Sequence, residues 1–166
     1  MTDDPDVRRR LTDAGWSGDG EPPPVTRLAA YGLIRRDGRL LLCRVAAGNL
    51  GEGRWALPGG GLDFGEPPDG GAIREVAEET GLLARIDGEP QIFSDTGTWR
   101  LAVGDVPYHH VRFVYPMTIT GGEERLEVGG STDAFGWHGP DELAELRRTD
   151  HLGDLVVRLL DADGEK

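Results

Sequence analysis

The chain has 166 residues, of which 30 are acidic and 18 are basic, so its formal net charge is −12. This length fits one domain with a sizeable core. Binding to a nucleic-acid polymer requires cations that face phosphates, and no basic patch is visible in the sequence. A single cysteine excludes an internal disulfide and a multi-cysteine zinc site. Because the sequence has no run of about 20 apolar residues and no secretory signal, we expect a cytoplasmic protein with no membrane contact.

Residues 1–24 carry many charges, a run of three prolines and no sustained periodicity. They predict a flexible or loosely docked N-terminal extension, followed by one domain over residues 25–166. At the start of that domain, the apolar runs 28–34 and 40–45 flank an Asp-Gly pair, which is a strong hairpin signal. A glycine-rich loop then follows over residues 48–61.

A helix is predicted after this loop, because Pro67 and Pro68 suit a first helical turn and Gly81 suits a C-terminal cap. Apolar residues between them recur at helical spacing and predict a stripe that faces the core. The order of strands and helices along the chain predicts a mixed β-sheet with helices packed on it, in the α/β (α+β) class. The stripe consists of Ile73, Val76, Ala77 and Thr80; the later strands are 83–86, 91–94, 99–103, 109–120 and 133–137, and two further helices begin at Pro140 and Leu152.

Three glutamates give the predicted helix a concentrated negative charge. Glu75, Glu78 and Glu79 are related as i, i+3 and i+4, so their carboxylates share one face. Three like charges at this distance repel one another, and Arg74 offsets one of them. The remaining field suits a hard cation such as Mg²⁺ or Mn²⁺, which prefers carboxylate oxygens. Taken alone, however, the three glutamates favour a solvated acidic face.

The surrounding residues form the pattern Gly60-x5-Glu66-x7-Arg74-Glu75-Val76-x-Glu78-Glu79-x-Gly81-Leu82. This resembles the Nudix box, G-x5-E-x7-R-E-U-x-E-E-x-G-U with U aliphatic, at every defined position. Seven literal matches at fixed spacing arise by chance at on the order of 10⁻⁸ per start position. With flanking segments that also look like the family, the resemblance spans roughly residues 26–160. It implies a Nudix-like α/β/α sandwich that carries the box as a loop-helix-loop.

The resemblance implies a set of metal ligands and a base. Glu78 and Glu79 correspond to direct ligands of Mg²⁺ or Mn²⁺, and Glu75 corresponds to a further ligand or to the base that activates water. The backbone carbonyl of Gly59 corresponds to another ligand, which explains a glycine-rich loop that approaches closely. Such ions neutralise charge on phosphates and lower the pKa of bound water. The implied reaction is the divalent-metal-dependent hydrolysis of a diphosphate linkage.

Arg74 and Glu66 correspond to a pair that braces the loop against the helix, and Arg74 also counts among the catalytic residues. Family members often recruit one more acid from a loop beyond the box. Relatives often carry it at the position of Ala134, so the identity of the base stays open here. The candidates for the additional acid are Asp133, Glu127, Glu123 and Glu124.

The box does not specify the rest of the substrate. The resemblance implies a small-molecule partner: a nucleoside diphosphate linked to another group, as in a nucleoside triphosphate, a nucleotide sugar or ADP-ribose. Aromatic side chains could stack on a base, although such residues are more often part of a core or rim. His109 and His110 adjoin a strand, so we expect one to face in and one out. The aromatic candidates are Tyr31, Trp55, Trp99 and Tyr108.

Two other functions are compatible with a Nudix-like fold. A non-catalytic Nudix domain that binds a nucleotide as a sensor usually loses box residues, whereas the box is intact here. An isomerase of isoprenoid diphosphates normally has a divergent box and a catalytic cysteine, whereas Cys43 lies in an apolar run and is expected to be a buried core residue. Homodimers are common in the family, and the sequence does not fix the oligomeric state.

Overall fold

The hairpin predicted around the Asp-Gly pair is confirmed. In a computed structural model that describes residues 3–149 and residue 152, β1 (Val25–Arg36) and β2 (Arg39–Val45) pair antiparallel. The turn residues Asp37 and Gly38 both have positive φ angles, of 53° and 72°. A two-residue hairpin turn needs this conformation, and an Asp-Gly pair adopts it readily.

The other strands join this hairpin in one mixed sheet. They are β3 (Trp55–Ala56), β4 (Gly59–Gly61), β5 (Leu82–Ile86), β6 (Gln91–Leu101), β7 (Gly104–Gly122) and β8 (Thr132–His138), and the helices are α1 (Pro5–Asp13), α2 (Pro68–Thr80) and α3 (Pro140–Glu145). In the described residues the sheet has eight strands, with a central path β3-β2-β1-β7-β5. β1 runs parallel to β7 and antiparallel to β2 and β4. The predicted mixed sheet and α+β class are confirmed.

Both faces of the sheet are covered. Ala29 of β1 packs into a cluster that includes Leu143 of α3 and Leu152. The next residue, Ala30, packs into a second cluster built around Val76 of α2. Successive side chains of a strand point to opposite faces, so β1 contributes to both cores, and its central residues 28–34 are apolar. The architecture is therefore the α/β/α sandwich that the resemblance implied.

α2 follows the predicted bounds but not the whole predicted stripe. Val76 and Thr80 are buried as predicted. The assignment of Ile73 to the core is wrong, because its side chain is 40% exposed. Ala72 and Glu79 are buried instead, at 0% and 3% exposure. The predicted stripe left all three glutamates outside the core, whereas the helix is turned so that Glu79 faces the sheet.

Residues 5–13 of the extension, which was predicted to be flexible or loosely docked, form the helix α1. Asp4 caps this helix, and its Oδ1 accepts a hydrogen bond from the Val7 amide at 3.0 Å. Val7 and Leu11 have 0% exposure and pack against Val25 and Val106. Two apolar residues are too few to produce a periodic signal, and the surface that buries them exists only in the folded sheet.

The glycine-rich stretch that was predicted as a loop contains two short strands. β3 pairs with β2, and β4 pairs with β1 so that Gly59 lies opposite Tyr31. Glycine is rare in strands, so the sequence gives little sign of this pairing. A second correction concerns 91–94 and 99–103, which are not separate strands, because β6 pairs along β7 without interruption from Gln91 to Leu101.

Two further predictions concern the C-terminal helix and membrane-spanning helices. The final amphipathic helix, apart from Leu152 itself, lies outside the described residues. Within the residues that the structure does describe, no helix is long and apolar enough to cross a bilayer.

Candidate active site

Glu79 lies on the inner side of α2 and is 3% exposed. Its Oε2 accepts a hydrogen bond from the Gly59 amide at 2.9 Å, and its Oε1 accepts one from the Thr132 hydroxyl at 2.6 Å. Burial raises the pKa of this carboxyl to about 7, although the hydrogen bonds from Thr132 and Gly59 act in the opposite direction. No cationic side chain pairs with Glu79 in the part of the chain that the structure describes.

Arg74 gathers the other carboxylates of the site. Its Nε and Nη2 donate to the two oxygens of Glu66, at 2.7 and 2.9 Å. Its Nη1 donates to Glu75 at 3.1 Å and to Glu78 at 2.9 Å. The hydrogen bond with Glu66 raises the pKa of Arg74 and lowers that of Glu66. A planar two-point contact of this kind fixes the guanidinium, so Arg74 connects the segment before α2 to the middle of the helix.

The glycines of β4 allow its backbone to approach both β1 and α2. Gly59 has a φ of 150°, and a Cβ at this position would overlap the carbonyl oxygen of Ala30. A Cβ at Gly60 would lie 2.7 Å from Oε1 of Glu75. Any other residue at Gly59 would push the strand away from β1, and a side chain at Gly60 would displace the carboxylate of Glu75. The glycines therefore place the backbone of β4 beside the carboxylates of α2.

Within the described residues, the carboxylates of the site outnumber the cations paired with them. There, Arg74 is the one cation paired with Glu66, Glu75 and Glu78, and no ion pair is formed with Glu79. Burial raises the pKa of Glu75, although Arg74 lowers it. Mg²⁺ and Mn²⁺ take oxygen ligands, so the chemistry of the donors and their excess charge fit such an ion. Within the described residues, no three His, Cys, Asp or Glu side chains already converge on one point.

A cavity of about 1150 Å³ opens beside Glu75 and Glu79. Gly59 lies on its wall next to these carboxylates, and the rest of the wall includes side chains from the sheet and Asp6 of α1. Small-molecule sites commonly have about 300–1000 Å³, so this cavity has room for a nucleotide that carries a further group.

Residues 25–159 match the family model of the NUDIX domain. The chain belongs to the Nudix family. Its pattern from Gly60 to Leu82 is the family's box with every defined position present. The predicted enzyme class, a Nudix-type diphosphohydrolase, is confirmed by the family match and by relatives named as pyrophosphatase and triphosphatase.

The relatives of this Nudix chain are named for different substrates. It is 33% identical over 141 residues to a MutT-like protein from Streptomyces ambofaciens, covering 84% of this chain and 79% of that one. It is 30% identical to the nucleoside triphosphatase NudI of Escherichia fergusonii, covering 68% of this chain and 82% of the relative. Identity to an ADP-ribose pyrophosphatase of Methanocaldococcus jannaschii is 32%, covering 58% of this chain and about half, 53%, of the relative. Among solved structures, the MutT Nudix hydrolase of Burkholderia pseudomallei superposes with a TM-score of 0.62 at 28% identity, covering 80% of this chain and 96% of that chain.

The Nudix box brings only part of the predicted ligand set to the cavity. Gly59, Glu75 and Glu79 line it. Glu78 lies on the outer side of α2, with a side chain that is 49% exposed and bonded to Arg74. Two of the three helix glutamates, which lie about one helical turn apart, therefore line the cavity, and the third does not.

Three of the four aromatic candidates lie at the cavity. Tyr31, Trp99 and Tyr108 line it, and the rings of Trp99 and Tyr108 stack at 4.4 Å between centroids. Trp55 does not line it in the described residues, because its ring packs edge-on against His138 at 4.5 Å. The strand that carries Trp55 pairs with β2, and the ring packs against the core cluster that contains Leu143 and Leu152.

The two adjacent histidines of β7 face opposite sides, as their alternation predicted. His110 lines the cavity, where its Nε2 lies 2.9 Å from an Nη1 of Arg27. His109 contacts the hydroxyl of Ser94 at 2.9 Å and is exposed.

The candidates for an additional acid differ in their surroundings. Asp133 is paired with Arg44 at 2.7 Å, and Glu124 accepts a hydrogen bond from Trp137 at 3.0 Å. Burial is the main cause that raises the pKa of Cys43 on the cavity wall, and the charge of Glu127 is among the further causes. The charge of Glu127 therefore acts on a residue of the cavity wall.

Sequence reasoning missed several residues of the site. Thr132, which bonds Glu79, lies 53 residues after it in the chain. Phe93, Asp95 and Arg112 line the cavity from β6 and β7. No local spacing relates these residues to the box, because the pairing of distant strands brings them together. The available signal was the alternation of side chains along these strands. It indicates which face of the sheet a residue occupies, but not that the residue belongs to a site.

Proposed function

We propose that this chain hydrolyses a diphosphate linkage in a reaction that depends on a divalent cation. The observation that carries the proposal is the Glu79 carboxylate, which is buried at the cavity wall without a protein cation in the described residues. A buried acid that lacks a counter-charge is costly for a fold to keep. Its retention is explained if it binds a cation during function.

Mg²⁺ or Mn²⁺ would be held by the carboxylates of Glu78 and Glu79 and by the carbonyl of Gly59, with Glu75 as a further ligand in the alternative where it is not the base. All four residues offer oxygen donors, which these ions prefer. When bound, such an ion neutralises charge on the phosphates and lowers the pKa of a water molecule.

The protein's own groups orient the carboxylates and accept a proton. The Gly59 amide and the Thr132 hydroxyl hold the two oxygens of Glu79 in fixed directions. Arg74, which is clamped by Glu66, orients Glu75. These contacts keep the acids in place before the substrate arrives, so that little reorganisation is needed during the reaction.

Glu75 is our candidate for the general base. Its pKa is raised by burial, which makes its carboxylate a better proton acceptor. It would take a proton from the attacking water while the water oxygen bonds to phosphorus and the bridging P–O bond breaks. Glu127 is the second candidate, because its charge reaches the Cys43 side of the cavity.

The proposed substrate is a small molecule that contains a nucleoside diphosphate joined to another group. Tyr31 and Trp99 provide aromatic faces on which a base can stack. The cavity of about 1150 Å³ suits a nucleotide sugar or ADP-ribose as well as a nucleoside triphosphate. Relatives named for nucleoside triphosphates and for ADP-ribose are consistent with this substrate class.

We assign the catalytic domain to residues 25–166. The match of the family model to residues 25–159 supports this start. Residues 1–24 would then be an extension whose helix α1 packs onto the domain through Val7 and Leu11.

The proposal is tested with a panel of nucleoside triphosphates, nucleotide sugars, ADP-ribose and dinucleotides in the presence of Mg²⁺ or Mn²⁺. We expect release of phosphate, diphosphate or nucleoside monophosphate that requires the cation. The Glu79→Gln variant should lose activity by about 100-fold or more. Glu89→Gln is the matched control, because Glu89 is an exposed acid that does not line the cavity.

A nucleotide sensor would behave differently in the same assay. Tight binding across the panel without turnover would contradict the hydrolase and favour a non-catalytic Nudix domain. Equal loss of activity in Glu79→Gln and Glu89→Gln would contradict the assigned site.

A further inference from the structure

We propose that Arg112 and Asp95 form a pair that reads the nucleobase of the substrate. This inference rests on the proposed function in so far as the substrate is a nucleotide. The two residues lie on neighbouring strands and both line the cavity. They would act as specificity-determining residues, since neither belongs to the box that holds the diphosphate.

Arg112 is a buried cation with few partners. It lies on β7 opposite Phe93 of β6 and is 8% exposed. Its Nη2 forms an ion pair with Oδ1 of Asp95. Within the described residues this is its sole polar partner, and its Nε has no hydrogen-bond partner. A guanidinium has five N–H donors, so most of the hydrogen-bonding capacity of Arg112 is unused.

A pure stabilising role does not explain this pair. Burying a charged pair gains little for a fold unless its remaining donors and acceptors are satisfied, and apolar residues of similar volume usually serve as well. The Asp95 side chain is 41% exposed, so one of its oxygens remains open to the cavity while the other contacts Arg112. The pair therefore presents donors and an acceptor side by side to a ligand.

The chemistry of the cavity around this pair favours a nucleobase. An ion pair has no net charge, so it does not select a phosphate. A nucleobase carries hydrogen-bond acceptors and donors side by side on its ring edge. Its acceptor can bond Arg112, which donates, and its donor can bond Asp95, which accepts. Phe93 and Trp99 line the same cavity, so aromatic side chains lie near the pair.

The position of the pair also fits the length of a nucleotide. Across the sheet, Gly61 of β4 lies opposite Ala29 of β1, and Ala29 lies opposite Arg112 of β7. Neighbouring strands are spaced by about 4.8 Å, so Arg112 lies about 10 Å from the strand that approaches the carboxylates. This is about the length of a nucleoside. A diphosphate near Glu75 and Glu79 would thus place its base near Arg112.

The test measures binding without turnover. Calorimetry compares the dissociation constants of the four common nucleoside 5′-monophosphates with that of ribose 5-phosphate, which lacks a base. Arg112→Met should weaken the nucleotides by about 10- to 100-fold, as expected when a charged hydrogen bond is lost, and change ribose 5-phosphate less than about twofold. Asp95→Asn adds a donor where there was an acceptor, so it should change the order of preference among the four bases. Arg85→Met is the matched control, because Arg85 pairs with Asp87 outside the cavity.

Circular dichroism first establishes that each variant folds. If Arg112→Met does not fold, Arg112→Lys, which keeps the charge but loses the planar fork, takes its place. An unchanged base preference in Asp95→Asn, or equal weakening of nucleotides and ribose 5-phosphate in the Arg112 variant, would overturn the inference. Failure of hydrolysis in the wild type would overturn the proposed function alone, since base-selective binding can still be measured.

Discussion

Glu79 acquires its chemistry from residues that are distant in the chain. Its neighbours in α2 decide only which face of the helix it occupies. The Gly59 amide and the Thr132 hydroxyl, from two different strands, then fix its oxygens. Burial in this position raises its pKa to about 7. Glu78, on the outer side of the same helix, has a different environment, because its side chain remains exposed and bonded to Arg74.

Gly60→Ala should lower hydrolysis while leaving the fold intact. The new Cβ would lie 2.7 Å from Oε1 of Glu75, so this carboxylate must shift. Displacing a reacting group by about 1 Å can cost about 100-fold in rate. The measurements are kcat/KM and the midpoint of thermal unfolding. Gly121→Ala is the control, because its Cβ would meet only Leu83 at 3.9 Å, and equal activity in the two variants would contradict the close approach.

Glu66→Gln should weaken the clamp on Arg74. The carboxylate accepts two hydrogen bonds from the guanidinium, whereas an amide offers one acceptor. We expect a loss of about 1–2 kcal/mol in the free energy of unfolding and a 10- to 100-fold lower kcat, on the order seen when a supporting contact is removed. Urea unfolding and steady-state kinetics measure both effects. Asp3→Asn serves as comparison, since its pair with Arg8 is 54% exposed and should contribute nothing measurable; a similar result for both variants would argue against the clamp.

Packing also determines whether a whole secondary-structure element forms. α1 has nine residues, which is too short for stable helix formation in isolation. It forms because Val7 and Leu11 are buried on the sheet and because Asp6 connects it to Arg27 of β1 at 2.9 Å. This contact also brings Asp6 to the wall of the cavity. An element outside the family match thus contributes to the surroundings of the site.

The docking of α1 should depend on pH through Asp6. Burial raises the pKa of Asp6, but its bonds and charges with Arg9, Arg27 and Arg10 outweigh this effect and hold it at about 2, against an ordinary value of 3.8. Because the folded pKa is the lower one, the stabilisation is complete above pH 3.8 and is lost as the pH falls from 3.8 towards 2.

Asp6→Asn should therefore reduce the protection of α1 amides from hydrogen exchange at pH 7 by about 1–2 kcal/mol, after allowance for screening by solvent. It should also abolish the loss of protection that the wild type shows between pH 3.8 and about 2. Asp13→Asn, at the exposed end of the same helix, is the control. An unchanged pH dependence in Asp6→Asn would show that another group anchors the helix.

At the scale of the molecule, the chain has a net charge of −12, and the wall of its cavity carries Glu75 and Glu79. An acidic protein that handles phosphates needs cations between its own carboxylates and the substrate. Binding of such a cation should stabilise the folded state, because the unfolded chain has no assembled site.

Mg²⁺ at about 100 times its dissociation constant should add about 2.7 kcal/mol to the stability of the wild type. For a chain of this size, that corresponds to a rise of about 5–10 °C in the unfolding temperature. Differential scanning calorimetry measures the shift, with NaCl at equal ionic strength as the control for screening. Glu79→Gln should lose most of the rise and Glu89→Gln should keep it; an equal rise in both variants would place the cation elsewhere.

Much of the fold and the frame of the site could be predicted from local patterns. The Asp-Gly turn, the helix between Pro68 and Gly81 and the apolar strands follow from short-range preferences that act over a few residues. The box is also local, since it places Glu75, Glu78 and Glu79 by helical spacing alone. Sequence was therefore sufficient for the hairpin, the mixed sheet, the family and the location of the acidic helix.

The remaining features depended on contacts between distant segments. The burial of Glu79 instead of Ile73, the docking of α1 and the assembly of Arg112 with Asp95 beside the cavity all require the sheet to be complete. Burial and hydrogen bonding are properties of the surroundings, and the surroundings of these residues come from strands that lie far away in the chain. A local pattern can therefore place a carboxylate on a face, but the packed sheet decides whether that face meets water, a cation or a base.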